Sequence, residues 1–420
     1  MVSALLALSL AATGPHFIED DFAAALTRAR AEKKVLFVDA WAPWCHTCVY
    51  MRDHVFTRAA FAALEQEVVF ASVDTEQASS AAFLERYPVS VWPTLFFIDA
   101  ATGEVRFTWL GSADEQQMQA LLQAARGLGG AVGQGDELMA RGDAAAAAQR
   151  YLASTGPDAG NPTARAVLST LSALTMARQP EVCARTAVSQ LGALGTPGER
   201  AQGLTWGLAC ALELPAEAPG RAALVEALVK PMRALLAAPA ALEQVLADDV
   251  SGLHDVLVQE REDAHDAPGR VVQAEAWLAY LEAQAGQAPT PAARAAFDAH
   301  RVGAALAAGV PARAVPALLQ SERDFPRDYN PPARLAVLYR ELGQLHQGLA
   351  AVDRALARCT AGPRKLRLYE TKASLLEKKG DLSGKKLVQA EELAWARRLP
   401  RAQFPPDRLA ALEKRLAPTR

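Results

Sequence analysis

The sequence predicts an α/β domain at residues 16–126 followed by an all-α region, and two observations lead to this division. In the first part, short continuous apolar runs alternate with helical patterns, as expected when the strands of a sheet are covered on both faces. After residue 136, strand patterns disappear, and Ala/Leu-rich helical segments alternate with breaks that contain Gly or Pro. A small, partly parallel sheet flanked by helices therefore precedes a long helical region.

The elements of the α/β part follow the order αβαβαββα with short connections. Residues 35–38 and 68–73 are continuous apolar runs, typical of buried strands. Residues 101–103 form a hairpin turn, Thr57 is a candidate helix cap, and residues 112–115 form a capping box. The expected elements are helices at 22–31, 45–54, 57–67 and 77–86, strands at 35–38, 68–73, 94–98 and 104–110, and a last helix after 112–115.

A glycine-rich stretch separates the two parts of the chain. Five glycines fall within the nine residues 127–135, so we interpret 127–136 as an interdomain linker. Residues 137–290 follow as an α-helical region.

Glycines between helices become periodic in the last part of the chain. Gly309 and Gly343 are 34 residues apart, and Gly343 and Gly380 are 37 apart. Small residues on the flanking helices allow a close crossing, and the glycine allows the turn. Residues 291–420 therefore resemble tetratricopeptide repeats, whose period is 34 residues. The resemblance implies a concave surface that holds a protein or peptide partner.

The bulk composition excludes several function classes. A net charge of −3 over 420 residues gives no general case for binding nucleic acid or a membrane surface. Ala4–Ala12 is a short apolar run followed by Thr-Gly-Pro, so residues 1–15 are a candidate signal segment, although no Lys or Arg precedes the run. No other stretch has the uninterrupted apolar length of a membrane span. We therefore expect an exported or periplasmic protein, with the cytoplasm as the alternative.

The five cysteines are too few for a domain stapled by disulfides, and a chain of this length does not need such staples. Cys183, Cys210 and Cys359 stand singly in apolar helical contexts, where we expect buried thiols. Cys183 and Cys210 can pair only if the protein is exported and their helices are neighbours. Cys45 and Cys48 remain as the reactive pair.

The stretch Trp41–Cys48 has two cysteines separated by two residues, directly after an apolar strand. We expect Cys45 in the first turn of the next helix, where free N–H groups and the helix dipole favour its thiolate. Cys45 is then the nucleophile, and Cys48, one turn further on and less exposed, attacks the mixed disulfide. This chemistry needs no bound cofactor.

A Cys-x-x-Cys pair can also be half of a zinc site. The sequence has no second pair of this kind, and His46 and His54 are poorly spaced to complete a site. We therefore expect no metal at the cysteines.

Three segments resemble the thioredoxin family. Residues 39–48 resemble its run of Asp, aromatic, Trp-Ala-x-Trp and Cys-x-x-Cys, with Ala40 in the place of the aromatic residue. Residues 87–95 are similar to the family's cis-proline segment, with Pro93 in that place, and Gly111 fits the glycine before the last helix. The resemblance covers 17–126 and implies a thioredoxin fold. A helix break at 55–57 resembles the thioredoxin-like domains of periplasmic disulfide reductases.

The resemblance also implies residue roles. Asp39 is implied to be a buried carboxylate that takes the proton from Cys48, since burial raises its pKa. Pro93, if cis, brings the backbone beside the nucleophile, where an extended substrate segment can pair with it. Trp44 and Trp92 are implied to flank the site as an apolar contact surface.

Two positions depart from thioredoxin. The family's Gly-Pro between the cysteines is His46-Thr47 here, and a histidine at this point can stabilise the Cys45 thiolate and make the disulfide more oxidising. Oxidases and isomerases of the superfamily usually carry their histidine directly before the second cysteine, so the direction of electron flow stays open. The lysine that thioredoxins place near the buried Asp aligns with Phe70.

We expect thiol–disulfide exchange on protein disulfides, in the direction of reduction, with an electron-donor protein as a second partner. Trp44, His46 and Trp92 are the expected substrate contacts. One alternative is a disulfide oxidase or isomerase. Another is a helical-repeat scaffold protein whose redox domain is regulatory.

Overall fold

The computed structural model describes residues 14–125, 130–155 and 162–417. Most of the candidate signal segment, residues 1–13, therefore lies outside the described residues. Within the described ranges, all strands fall between residues 17 and 110. Residues 130–155 and 162–417 form helices and connecting turns. The predicted division into an α/β domain and an all-α region is confirmed.

Five strands form one mixed sheet with the order β1-β3-β2-β4-β5. The strands are β1 Phe17–Glu19, β2 Val35–Trp41, β3 Val68–Asp74, β4 Thr94–Ile98 and β5 Val105–Leu110. Strands β1, β3 and β2 are parallel, whereas β4 runs antiparallel to both β2 and β5. Strand β1 was not predicted, because three residues are too few to show a pattern.

Helices cover both faces of this sheet. They are α1 Phe22–Glu32, α2 His46–Tyr50, α3 Ala59–Ala63, α4 Ala81–Arg86 and α5 Glu115–Ala124, with a π-helical turn at Met51–Val55 and 3-10 turns at Leu64–Gln66 and Ala78–Ser80. The cap of α3 is Arg58, so the prediction of Thr57 as its cap is wrong. The predicted capping box lies two residues further on. Asp114 and Gln117 each accept a hydrogen bond from the other's backbone N–H, at 2.8 and 2.9 Å.

Alternate residues of β2 face opposite sides of the sheet and belong to two cores. Leu36 and Val38 lie in a core closed by α1 and α4. Phe37 faces the other way, into a buried cluster that continues into the helical region and includes Tyr151 and Leu171. The two parts of the protein therefore share one continuous apolar core on the side of the sheet that faces α2 and α5.

The helical region consists of helices connected by short turns. The helices are α6 Gly130–Ala140, α7 Ala144–Ala153, α8 Ala164–Met176, α9 Pro180–Gln190, α10 Pro197–Leu212, α11 Arg221–Leu236, α12 Pro239–Leu242, α13 Ala247–Asp263, α14 Ala267–Gln287, α15 Pro291–Ala295, α16 Asp298–Ala307, α17 Val315–Asp324, α18 Asn330–Glu341, α19 Leu345–Arg358, α20 Arg364–Lys378, α21 Leu382–Ala396 and α22 Pro406–Leu416. None of the helices in the described part of the chain combines the length and hydropathy needed to cross a membrane.

The predicted linker at 127–136 is largely helical where it is described. Residues 127–129 lie outside the described part, whereas residues 130–136 form the first turns of α6. A Cβ atom at Gly135 would lie 2.5 Å from the Tyr151 ring, so this glycine lets α6 approach α7 closely. The glycine serves helix packing here, and composition alone does not distinguish that use from flexibility.

The turn glycines of the predicted repeats occupy the positions that the spacing indicates. Gly309, Gly343 and Gly380 have φ angles of 73°, 70° and 82°, which favour glycine. They end α16, α18 and α20, and each is followed by the second helix of a pair. The helical pairs of tetratricopeptide-like repeats are therefore present in the described part of the predicted repeat region, residues 291–417.

Helices α9 and α10 are joined by a buried disulfide between Cys183 and Cys210, whose Cα atoms are 6.0 Å apart. The sequence left this pairing open because it depends on which helices are neighbours. Cys359 is buried and unpaired, as expected.

Candidate active site

The Cys45–Cys48 disulfide lies where β2 passes into α2. Cys45 is the cap residue of α2, and the Cys48 backbone N–H donates a hydrogen bond to its Sγ at 3.0 Å. Such a donor stabilises a thiolate at this sulfur. Cys45 is 4% exposed and Cys48 is fully buried, so an approaching sulfur meets Cys45 first. The roles of nucleophile for Cys45 and resolving cysteine for Cys48 stay predictions.

Asp39 lies inside β2, the strand that leads into the cysteine turn. Its side chain is fully buried, and neither carboxylate oxygen has a hydrogen-bond partner. Burial raises the pKa of Asp39 to about 7, against the opposing charge of Arg52. A carboxyl group with this pKa can accept or release a proton near neutral pH.

The loop before β4 carries a cis peptide bond between Trp92 and Pro93. Trp92 and Trp44 pack with ring centroids 5.1 Å apart, and both contact the buried cluster that contains Cys45 and Cys48. The structure therefore brings the predicted cis-proline segment and the cysteine turn together.

Trp44 is held by the helical region, which the sequence did not predict. Its Nε1 donates to Glu76 Oε1 at 2.7 Å, and Glu76 Oε2 accepts from the Arg364 backbone N–H at 2.9 Å. The Arg364 guanidinium also lies 5.1 Å from the centroid of the Trp44 ring. Asn330 in α18 adds a hydrogen bond to the Pro43 carbonyl at 3.0 Å. This side of the turn is consequently covered.

Both residues between the cysteines contact Asp248 in α13. His46 Nδ1 lies 3.1 Å from Asp248 Oδ1, and the Thr47 hydroxyl donates to Oδ2 at 2.7 Å. His300 Nε2 in α16 lies 2.9 Å from the same Oδ1. Burial alone would raise the pKa of Asp248, but the two imidazoles outweigh it and hold that pKa well below its usual range.

A cavity of about 270 Å³ lies between the α/β domain and the helical region. His46, Thr47 and Trp92 line it on one side, and Gln202 and Trp206 on the other. The cavity therefore reaches the cis-proline loop next to the cysteine pair.

A second buried carboxyl, Asp249, also borders this cavity. It accepts hydrogen bonds from the Ser112 hydroxyl at 2.5 Å and from Gln202 Nε2 at 3.1 Å. Burial raises its pKa to about 7 despite these hydrogen bonds. This polar contact fixes the start of α13 against the α/β domain.

Sequence reasoning located the cysteines, Asp39, Pro93, Trp44, His46 and Trp92, but it missed every contributor from the helical region. Asp248 stands in the first turn of α13, where an acidic residue is ordinarily explained by the helix dipole. His300 and Arg364 belong to no motif. The only available signal was the presence of ionisable residues on otherwise apolar helices, and it does not indicate a partner.

The fold and the site define a thioredoxin-fold redox domain followed by helical repeats. A model of the thioredoxin-like domain family matches residues 22–126. Over 101 residues the chain is 33% identical to Thioredoxin H3 of Arabidopsis thaliana, which covers 24% of this chain and 79% of that protein. The chain therefore belongs to the thioredoxin family through this domain.

Two further similarities extend the comparison. The chain is 36% identical over 83 residues to Protein disulfide-isomerase 1 of Dictyostelium discoideum, covering 20% of this chain and only 23% of that protein. A solved tetratricopeptide repeat protein from Parabacteroides merdae aligns with a TM-score of 0.44 at 11% identity, over 68% of this chain and 97% of that one.

Proposed function

We propose that the protein reduces disulfides of other proteins through the Cys45–Cys48 couple, and that a donor protein returns it to the dithiol form. The observation that carries this proposal is the difference between the two cysteines. Cys45 accepts an N–H hydrogen bond at its sulfur and is the more exposed, whereas Cys48 is fully buried beside it. The thioredoxin-like domain and its relatives support thiol–disulfide exchange as the reaction class.

The first step forms a bond between the Cys45 thiolate and one substrate sulfur, and the substrate disulfide breaks to release a thiolate. Cys48 then gives its thiol proton to the Asp39 carboxylate, and its sulfur attacks Cys45 Sγ. The mixed disulfide breaks, the substrate sulfur that was bonded to Cys45 leaves, and both released substrate thiolates take up a proton. Two electrons have passed from the cysteine pair to the substrate.

The surroundings of His46 support the reducing direction. A positive charge on this histidine would stabilise the Cys45 thiolate and make the couple more oxidising. The Asp248 carboxylate lies 3.1 Å from the imidazole and offsets such a charge. The oxidase or isomerase alternative lacks this support, because it needs the uncompensated charge.

The covered turn also favours a restricted choice of substrates. The helical region occupies the side of the turn that contains Pro43 and Trp44, and the cavity of about 270 Å³ remains beside Trp92. A cavity of this size suits a narrow, extended substrate segment better than a folded surface. We therefore expect substrates that present their disulfide in a flexible loop or tail.

We also propose that the repeats bind a protein partner. Support comes from α21, where Leu382 and Leu387 are 59% and 68% exposed. Replacing both leucines by serine should remove the partner while leaving insulin reduction unchanged. Unchanged partner binding would contradict this part of the proposal, and loss of both partner binding and insulin reduction would point to a folding defect.

Export is proposed on the strength of the Cys183–Cys210 disulfide, since buried structural disulfides are typical of oxidising compartments. Alkylation of cell extracts after acid quenching distinguishes the disulfide-bonded form of Cys183 and Cys210 from the form with two free thiols. Full protection of both thiols supports export, and free thiols at both positions contradict it.

The reaction is tested by trapping. A Cys48→Ser variant should accumulate mixed disulfides with a defined set of proteins through Cys45, because the resolving step is lost. The Cys45→Ser/Cys48→Ser double variant is the matched control and should trap none. Absence of adducts, together with an intact protein that does not reduce insulin, would favour the scaffold alternative.

A further inference from the structure

We propose that His46, Asp248 and His300 form a binding site for one divalent transition-metal ion, with Zn²⁺ as the best-fitting class. Their donor atoms all lie within 4.8 Å of one another. His46 Nδ1 and His300 Nε2 are 3.1 and 2.9 Å from the same Asp248 oxygen. Two imidazoles and one carboxylate are a common protein ligand set for Zn²⁺ and related ions.

The spacing requires little rearrangement to hold an ion. Tetrahedral Zn²⁺ with bonds of about 2.0–2.1 Å places neighbouring ligand atoms about 3.3–3.4 Å apart. The two observed donor separations from Asp248 are shorter than this by only a few tenths of an ångström. The two imidazole nitrogens lie within 4.8 Å of each other and would have to adopt the same separation, so that side-chain rotations replace two hydrogen bonds by three metal bonds.

The surroundings of the cluster resemble those of an open metal site. Asp248 and His300 are buried, which fixes their positions, whereas the His46 side chain is 40% exposed. The Thr47 hydroxyl donates to the second Asp248 oxygen and so orients the carboxylate. All three ligands line the cavity of about 270 Å³, which leaves room for water to complete the coordination.

A metal ion here would connect the two parts of the protein. His46 belongs to the redox turn, while Asp248 and His300 lie on α13 and α16 of the helical region. The Tyr50 hydroxyl already accepts a hydrogen bond from the Ala247 backbone N–H at 3.0 Å, which holds the start of α13 beside α2. Bound metal would add to this contact and lock the helical region over the turn that carries Cys45.

The oxidised full-length protein is the correct sample for the test, because its Cys45 and Cys48 sulfurs are paired and cannot supply thiolate ligands. Calorimetric titration with ZnCl₂ should give one ion per chain, and Co²⁺ should give visible bands without a thiolate charge-transfer band. Zn²⁺ should also raise the midpoint of thermal unfolding, since it binds the folded state.

Two variants each remove one histidine ligand of the proposed metal site, and they differ in how strongly the substitution is expected to affect folding. His300→Ala changes a buried residue, and His46→Ala changes a half-exposed one; each should weaken Zn²⁺ binding at least about tenfold and abolish the thermal shift. His346→Ala, a change at an exposed histidine, is the control and should bind as the wild type does.

The proposal is overturned if the oxidised wild type binds no Zn²⁺ or Co²⁺, since the cluster is then a hydrogen-bonded His–Asp–His group. It is also overturned if neither ligand variant weakens binding, or if only the reduced protein binds. Because the sample is oxidised, these outcomes leave the proposed disulfide chemistry standing, and failure of trapping would leave the metal site standing.

Discussion

His46, the residue after Cys45, lies 3.1 Å from Asp248, which is 202 residues away in the chain. Asp248 also accepts a hydrogen bond from Thr47, so the helical region holds both residues that lie between the two cysteines. In an isolated thioredoxin-type domain the same dipeptide would face solvent or substrate. The helical region therefore belongs to the site and is more than an attachment to it.

Replacing Asp39 by Asn should stabilise the protein above neutral pH. The folded-state pKa of about 7 lies above the ordinary value of 3.8, so the folded protein holds this proton more tightly than the unfolded chain does. Stability from this group is complete below about pH 4, is lost as the pH rises to about 7, and is constant above that. Urea unfolding at pH 5 and pH 8 measures the difference.

The gain at pH 8 should reach on the order of 4 kcal/mol, because each pKa unit corresponds to about 1.4 kcal/mol. Exposed Glu217 provides the control, and Glu217→Gln should leave the pH dependence as it is. A variant Asp39→Asn that keeps the wild-type dependence between pH 5 and pH 8 would show that Asp39 is ionised throughout this range.

Arg364→Ala should loosen the cover over Trp44. The substitution removes the guanidinium that lies over the indole but keeps the backbone N–H that bonds Glu76. We expect a loss of about 1 kcal/mol in stability and faster reduction of bulky disulfide substrates. Arg367→Ala on the same helix is the control, since the Arg367 side chain is 72% exposed. If the two variants reduce bulky disulfide substrates at equal rates, the contact of Arg364 with Trp44 does not limit the access of substrates to the cysteine pair.

Gly135→Ala tests whether residues 130–136 form a packed helix. An added Cβ would meet the Tyr151 ring at 2.5 Å, and the hydroxyl of that ring is fixed by a bond of 2.7 Å to Asp136. The clash should cost about 1–3 kcal/mol, which exceeds the helix propensity gained. Gly286→Ala, within α14 and with nothing near its added Cβ, should be neutral or stabilising. A flexible linker at 135 would tolerate both changes in the same way.

Replacing Cys183 and Cys210 by Ser should destabilise the helical region. Their sequence separation is 27, and closing a loop of this length contributes about 3.5 kcal/mol in the chain-entropy treatment. Chemical unfolding with and without a strong reductant measures the effect. The free energy of unfolding of the oxidised wild type should exceed that of the variant by this amount. The free energy of unfolding of the reduced wild type should equal that of the variant. Identical stability of the oxidised forms would mean that the bond does not form in the protein.

The sequence predicted those features whose residues lie close together in the chain. Cys45 and Cys48 lie within one contiguous turn–helix segment, so their relationship follows from spacing, whereas the role of Asp39 in the preceding strand was implied by the resemblance to the thioredoxin family. The strand patterns at β2 and β3 are strong because both strands are buried on both faces.

The missed features involve contacts between distant parts of the chain. The contacts of His46 are one example, because they come from Asp248 and His300, which no spacing rule connects to the cysteine motif. The glycines of α6 resembled a linker because the ring that packs on Gly135 lies in another helix. The structural role of such a residue depends on side chains from distant parts of the chain, and these contacts form only when the chain folds.

The direction of electron flow is the central claim, and the reduction potential of the Cys45–Cys48 couple tests it most directly. The measurement equilibrates the purified, metal-free full-length protein with glutathione buffers and reads the thiol content of this pair. We predict a value near that of thioredoxin, about −270 mV. A value of about −120 mV, typical of a strong disulfide oxidant, would contradict the proposal that the protein acts as a reductase.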